Sequence, residues 1–288
     1  MKKGLVFLQN EFYDLSRACI SLFDLGLMRG YGIFDYLRTY QRIPFHLEDH
    51  LIRFETSARS IGISLPKTLK EIENIIFQML EKVPFEECSI KLLLTGGESE
   101  SGIHYEEKPT LAIAVFPFSS NFPLSKYEKG IALMGITHER PYPACKTLYY
   151  LPAVLALKKA AKKNFDDVLY VNAQGEILEA STSNFFAFKN DVLITPSEGI
   201  LPGITREVVM HLAKKAYAIE RRKVFFHEMP QFDEVFISAS NKEIVPVVRI
   251  DNFIIGKGRV GFRTRRLMDQ FKEYASNTFK KPSFFSEK

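Results

Sequence analysis

Glu179 heads a small polar cluster, Ser181, Thr182, Ser183 and Asn184, that runs directly into the apolar stretch Phe185 to Phe188. A carboxylate about to enter a core needs a partner. Two readings fit: a strand-end Glu bonded to a local Arg or to backbone, or a fixed anion that stabilises a buried positive charge on a ligand. Lys146 lies in PACKTLYYLPAVL, among apolar and aromatic neighbours, whereas most other lysines sit in charged runs. A desolvated Lys has a lowered pKa and becomes a nucleophile, as Schiff-base chemistry requires; a Lys that snorkels to solvent does not. Arg53 falls two residues after Leu51 in a helix, displaced from its apolar face. It reads as a surface Arg or as a bidentate phosphate clamp. In LPGITRE, 201–207, Gly203 frees the backbone and a helix begins at Thr205 or just after, with Thr205 as its N-cap. Such a start offers unpaired N–H groups and the positive end of the dipole to a phosphate, although many helices begin this way. SASNKE, 238–243, is a second turn of small residues with N–H and hydroxyl donors. LTGGESESG, 94–102, is Gly-rich but lacks the Gly-Lys-Ser/Thr ending of a P-loop, and reads as a loop.

The elements that must position these residues follow from hydrophobic periodicity. Strands are predicted at 4–8, 33–40, 89–95 and 110–116, with helices over 48–62 and 69–82. The stretch 116–130 loses periodicity and carries two prolines, three serines and a glycine. The domains are therefore placed at 1–118 and 129–288, with a linker at 119–128. Beyond it come the strand IALMGI, a helix over PAVLALKKAAKK, and two hairpins, DDVLYV-NAQG-EILEA and FFAF-KND-VLIT. The helix of TREVVMHLAKKA, the strands EVFIS and VPVVRI, and a last helix at 264–275 complete the pattern. With no repeat and no simple βαβ alternation, the chain reads as two α+β domains. The first is small and of mixed strands and helices; the second is larger, with antiparallel strands and helices.

Bulk properties narrow the function. Among 288 residues, 46% are hydrophobic and 25% charged, which is ordinary globular composition. The net charge of +5 is interspersed, and the densest basic stretches, KKAAKK and RTRR, read as solvated helix faces. No nucleic-acid groove is expected. The apolar runs are too short to span a membrane, and MKKGLVFLQN reads as an N-terminal strand, not a signal peptide. Three cysteines at wide spacing and six histidines without ligand spacing argue against a disulfide framework and a metal. They suit a reduced, cytoplasmic compartment.

Taken together and in order, the segments DLGLMRGYGIFDYLRTY, PFHLEDHLIRFETSA, KTLYYLPAVLALKKA, DDVLYVNAQGEILEASTSNFFAF, LPGITRE and EVFISASNKEIVPV…GKGRVGFRT resemble one family. The chain looks like a fold type IV (class IV) pyridoxal-phosphate (PLP) enzyme. That group includes branched-chain and D-amino acid aminotransferases and 4-amino-4-deoxychorismate lyase. The resemblance spans roughly residues 24–266 and implies a D-amino acid aminotransferase-like fold. It also implies roles. Lys146 would hold the cofactor aldehyde as an internal aldimine and then move the substrate Cα proton, with pyridoxamine phosphate as the intermediate form. Glu179 would face the pyridine nitrogen. Arg53, Ile204, Thr205 and Ser240 would hold the phosphate, and Gly203 would be among the cofactor-binding residues. Ser183 and Asn184, with Ser181 and Thr182, would form a polar floor, Leu201 would pack on the ring, and Tyr150 would lie near the phenolic oxygen. A homodimer whose subunits share the active site is implied by analogy.

The departures bear on the substrate. D-amino acid aminotransferases usually carry an Arg in the turn that is here Thr95-Gly96-Gly97, so a carboxylate clamp must come from elsewhere. Arg29, Arg38 and Lys91 are the candidates, with Phe34 beside them. Branched-chain enzymes usually have one more residue between the Lys and the Tyr. The lyase tends to have Lys where Lys91 stands and shares the spacing of KTLYYLPAVL. It typically has Thr-Thr where this chain has Asp35-Tyr36, and FDYLRTY is closer to an aminotransferase. The expectation is therefore an aminotransferase working between amino acids and 2-keto acids. The alternatives are the lyase, which releases pyruvate and leaves 4-aminobenzoate, and a homologue that binds cofactor without turnover.

Overall fold

The computed structural model describes residues 3–120, 122–277 and 283–285. Asn121 of the expected linker and the remaining residues at the two chain ends lie outside the described residues. The chain divides into two compact units, Met1–Ser119 with Cys145–Tyr149 and Thr278–Lys288, and Ser120–Ala144 with Tyr150–Asn277.

In the first unit the chain runs β1 (Leu5–Leu8), β2 (Glu11–Asp14), α1 (Leu25–Arg29), β3 (Gly32–Tyr40), β4 (Ile43–Pro44), α2 (Leu47–Ser60), α3 (Leu69–Lys82), β5 (Cys88–Thr95) and β6 (Thr110–Pro117). The strands form one antiparallel sheet in the order β2-β1-β6-β5-β3-β4. Strict alternation decides its faces. Along β3, Ile33, Asp35, Leu37 and Thr39 are buried, while Phe34, Tyr36, Arg38 and Tyr40 are half-buried. The buried face meets α2 through Leu51, Phe54 and Ala58 and α3 through Ile72, Ile76 and Met79. Deleting a fully buried ring such as Phe54 would cost about 3–5 kcal/mol. A capping box of Thr68 and Glu71 starts α3. α2 has no side-chain cap; Glu48 and Asp49 in its first turn complement the dipole instead. The far end of the chain returns to this helix: Ser283 Oγ and the Phe284 and Phe285 N–H groups donate to Asp49 Oδ1 at 2.6, 2.7 and 3.1 Å. The Phe284 ring stacks on His46.

The second unit comprises α4 (Leu124–Lys129), β7 (Ile131–Thr137), α5 (Leu151–Lys162), β8 (Asp167–Val171), β9 (Glu176–Ala180), β10 (Asn184–Lys189) and β11 (Val192–Pro196). It continues with α6 (Ile204–Ala213), β12 (Ala218–Arg222), β13 (Val224–Phe225), a 3₁₀ turn (Phe226–Gln231), β14 (Glu234–Ala239), β15 (Glu243–Ile250), β16 (Phe253–Ile254) and α7 (Phe262–Ser276). Its sheet runs β12-β11-β10-β14-β15-β7-β8-β9-β13, with β16 on β15. The antiparallel hairpins expected from sequence are present, and three parallel pairs, β15–β7, β7–β8 and β11–β12, join them. An extra pairing of Asn184 with Glu179 links β10 to β9 and closes β10, β14, β15, β7, β8 and β9 into a ring. That closure brings the polar cluster back against the Glu179 strand. Inside sit Leu133, Leu169, Ile177, Phe185, Ile237 and Val245, all buried.

Two features differ from the sequence reading. The stretch expected to be an aperiodic linker contains α4, ended by Gly130 at φ 78°. The short segment Cys145–Tyr149, far along the chain, sorts with the first unit. It does so because backbone pairing, which no local pattern encodes, ties it to β3.

Candidate active site

Lys146 is placed by that pairing. Thr147 bridges Ile33 antiparallel, Phe34 N–H donates to Lys146 O at 2.9 Å, and Leu148 N–H donates to Gly32 O at 3.0 Å. The segment thus lies along β3 as a short extra strand. Gly32 is required there, since a Cβ on it would lie 2.8 Å from Leu148 Cδ1 and 2.6 Å from Leu94 O. The Lys146 N–H also reaches Ser57 Oγ at 3.4 Å. The side chain is half-buried, with Nζ 4.7 Å from the centroid of the Phe34 ring. Lys91 Nζ approaches the same ring at 5.4 Å. Phe34 therefore gathers two ammonium groups, a favourable cation–π arrangement for each.

Further along that half-buried face, Tyr36 OH and Ser89 Oγ hydrogen-bond at 2.9 Å. The Arg38 guanidinium stacks 3.5 Å over Phe118 and 4.3 Å over Tyr40. Arg29, at the end of α1, is exposed and donates to its neighbour's carbonyl, Met28 O, at 3.1 Å. The motif around it is built on Asp24, which caps α1 through Gly26 N–H at 2.7 Å and accepts from Thr95 Oγ1 at 2.7 Å. This links DLG to the loop after β5.

Arg53 is not a surface residue: it is 4% exposed. Its Nε donates to Asp35 Oδ2 at 2.8 Å and its Nη2 to Asp35 Oδ1 at 2.7 Å. His50 Nδ1 meets the same Asp35 Oδ1 at 2.7 Å. Burial by itself would raise the Asp35 pKa, but the charges of Arg53 and His50 outweigh it and hold the carboxyl well below its usual range. Burial lowers the His50 pKa, and the Asp35 charge only partly opposes that. The helix displaced Arg53 from its apolar stripe onto a second, ionisable stripe of His46, Asp49, His50 and Arg53, all buried.

In the second unit Glu179 is 5% exposed and fully engaged. Arg140 donates to Oε1 through Nε at 2.8 Å and Nη2 at 2.6 Å. Oε2 accepts longer bonds, from Leu201 N–H at 3.1 Å and Asn184 Nδ2 at 3.2 Å. Asn184 Nδ2 also donates to Leu201 O at 2.8 Å. Glu179, Asn184 and Leu201 thus form one cluster that pins LPGITRE to the end of β9. Arg140 was not singled out by sequence. The available signal was the demand itself: a carboxylate entering a core requires a cation, and HERPYPACK offers one six residues before Lys146. Tyr170 lies in the same environment; burial and the negative charge of Asp167 push its pKa up to about 12. Tyr150, at the start of α5, is half-buried and adds to that shift.

The polar floor is divided. Ser181 turns away to Asp167 Oδ1, at 2.5 Å, and Thr182 is exposed with Lys242 Nζ 3.4 Å from its hydroxyl. Ser183 Oγ is buried with no hydrogen-bond partner among the described residues, as is Ser238 Oγ, opposite Asn184 on β14. The N-cap of α6 is corrected from Thr205 to Gly203; Thr205 lies inside the first turn and is 2% exposed. Gly203 supplies no side-chain cap, and a Cβ there would lie 2.0 Å from Asn184 Oδ1. Ile204 and Thr205 are the first helical residues, and Ser240 is half-buried in the turn after β14.

These features fit a phosphate-bearing cofactor. Buried hydroxyls without partners are costly unless something accepts or donates to them. An uncapped helix start needs an acceptor for its N–H groups, and an anion is suited to it. A close-approach glycine at such a start keeps the backbone accessible.

Comparison with known proteins agrees with this geometry. Residues 32–250 match the family model of class IV amino-transferases. A Methanocaldococcus jannaschii protein, provisionally named a branched-chain-amino-acid aminotransferase, is 33% identical over 278 residues, covering 93% of this chain and 95% of the relative. The D-alanine aminotransferase of Staphylococcus haemolyticus is 30% identical, covering 93% and 97%. Among solved structures, the branched-chain amino acid aminotransferase of Escherichia coli superposes with a TM-score of 0.91 at 23% identity, covering 99% and 98%. The T.th. branched-chain amino acid aminotransferase, solved with pyridoxamine 5'-phosphate, gives 0.89 at 24% identity, covering 96% and 95%. The fold is that of the fold type IV enzymes, and the chain belongs to the class IV aminotransferases.

Proposed function

We propose that this enzyme is a PLP-dependent aminotransferase that moves an amino group from an amino acid to a 2-keto acid. The observation that carries the reading is the Glu179 cluster: a buried carboxylate, held by Arg140, fixes the loop that begins α6. A carboxylate so held suits a cationic ring nitrogen, and the uncapped helix start suits a phosphate. In this reading Lys146 carries the cofactor aldehyde, and Arg53, Ile204, Thr205 and Ser240 hold the phosphate. Tyr150, Ser183, Asn184, Leu201 and Gly203 shape the ring's surroundings. When bound, PLP supplies an electron-withdrawing ring that eases breaking of the substrate Cα–H bond. Once a substrate amine had taken its place on the aldehyde, the freed Lys146 Nζ would take the substrate Cα proton as general base and give it up again as general acid. Lys91, Arg38 and Arg29 supply positive charge for the substrate carboxylate, and Phe34 borders the substrate.

A homodimer accompanies this reading. In the first unit Leu22, Phe23 and Leu27 are 77%, 65% and 58% exposed, and Ile103 is 66% exposed. Large apolar side chains so exposed mark a surface that a second copy would cover.

Borohydride reduction of protein incubated with PLP, followed by peptide mapping, is expected to place the adduct on Lys146. Single amino acids are expected to yield one equivalent of keto acid per active site. Failure with every L- and D-amino acid, together with pyruvate release from aminodeoxychorismate, would identify the lyase instead.

A further inference from the structure

We propose that Asp35 is a positioning residue that presets Arg53 for a phosphate and so makes the protein select a phosphorylated cofactor over its dephosphorylated form. The inference rests on the role given to Arg53 above.

Asp35 is a carboxylate at a core-facing position of β3, 0% exposed, flanked on that face by Ile33 and Leu37. A charge in such a place is strongly unfavourable unless bidentate pairing and further hydrogen bonds compensate it. Both are present. The Nε and Nη2 atoms of Arg53 engage the two carboxylate oxygens at 2.8 and 2.7 Å, the parallel fork of a bidentate pair. The guanidinium plane cannot turn without breaking both bonds. Its edge direction is then set by β3, not by the flexible side chain. An arginine has five N–H donors, and this fork uses the Nε edge, so the orientation of the Nη1 end is fixed with it.

His50 completes the support. Its Nδ1 lies 2.7 Å from Asp35 Oδ1, three residues before Arg53 on the same helix. Because Asp35 Oδ1 can only accept, the His50 Nδ1–H donates to it whether or not the second ring nitrogen is protonated. Asp35 is thereby held from α2 at two points and holds Arg53 in return. A ligand group preset in this way loses less rotamer entropy when it binds, which raises affinity for the group it meets and for nothing else.

The test is a set of dissociation constants for PLP and for pyridoxal, read from absorbance titrations of wild type, Arg53→Ala, Asp35→Asn and the double variant. Asp35→Asn is expected to weaken PLP binding roughly ten- to hundredfold, by analogy with the loss that follows removal of an orienting partner behind a metal ligand. Pyridoxal binding is expected to stay within about twofold. On the Arg53→Ala background, Asp35→Asn is expected to add less than about twofold, because its effect passes through Arg53. If Asp35→Asn does not fold, His50→Gln replaces it, with the same phosphate-selective loss at smaller size. Equal weakening of PLP and pyridoxal, or a full further loss on the Arg53→Ala background, would overturn the proposal. Wild-type protein that binds neither compound would instead refute the cofactor reading. An Arg53→Ala variant that keeps the wild-type preference for PLP would refute the role of Arg53, and that of Asp35 with it.

Discussion

Arg140 and Glu179, 39 residues apart in sequence, are joined through Nη2 and Nε of the arginine to one carboxylate oxygen, at 2.6 and 2.8 Å. Removing one member of a buried pair leaves an uncompensated charge. Arg140→Met is therefore expected to destabilise the protein by about 3–5 kcal/mol in denaturant unfolding. Arg140→Met/Glu179→Met is expected to recover most of that loss. A double variant no better than the single would show that the pair is not what holds Glu179.

Ser238 offers a trade between stability and binding. Its buried hydroxyl has no partner among the described residues, so Ser238→Ala is expected to raise the stability of cofactor-free protein by up to about 1 kcal/mol. The same change is expected to weaken PLP binding, because the hydroxyl is held ready for the ligand. Equal thermal shifts with and without PLP would remove Ser238 from the site.

Gly203→Ala tests the close approach at the start of α6. The backbone there, φ −76° and ψ 128°, suits any residue, so the cost is steric. The new methyl would lie 2.0 Å from Asn184 Oδ1 and push that side chain off Glu179 and Leu201. A loss of about 1–3 kcal/mol is expected in unfolding measurements. Asn184→Ala on the same background is expected to relieve part of it. A Gly203→Ala protein with unchanged stability and PLP affinity would contradict the geometry.

Stability should fall with acid in two steps. Burial lowers the folded-state pKa of His50 below its ordinary 6.5, so unfolding takes up a proton once the pH drops below about 6.5. Stability present above that value is lost as the pH falls toward the folded pKa. His138, lowered by burial and by Arg140, acts in the same window. Asp35, held low by Arg53 and His50 against its burial, adds a second loss below its ordinary value of 3.8. Tm measured against pH by circular dichroism is expected to show both steps. His50→Asn is expected to shrink the first; a variant profile parallel to wild type between pH 6.5 and 5 would refute the assignment.

Much of this was legible in the sequence, for identifiable reasons. α3 at Leu69–Lys82 matches the predicted 69–82 because its apolar spacing and capping box agree locally. The strands β3, β5 and β6 follow from alternation. The same alternation places Asp35 on the core face, and the helical spacing of His50 and Arg53 offers its partners, a signal that hydrophobic periodicity alone passes over. The N-cap of α6 was misplaced because Thr205 has the side chain of a cap, whereas the close packing of Asn184 selects Gly203. Arg140 and the attachment of Lys146 to β3 depend on contacts between distant segments, and no short window of residues contains them.

The first unit is assembled from stretches made at very different times. Its β3 edge awaits Lys146, and Asp49 awaits Ser283 to Phe285. During synthesis at about 5–20 residues per second, those last partners would leave the ribosome roughly 8–30 s after Ser119. Until then the ionisable stripe of α2 stands without its closing strap. A unit begun early is therefore finished by residues made far later, and a nascent chain stalled before Ser283 would carry an N-terminal unit in which Asp49 lacks the donors of Ser283, Phe284 and Phe285.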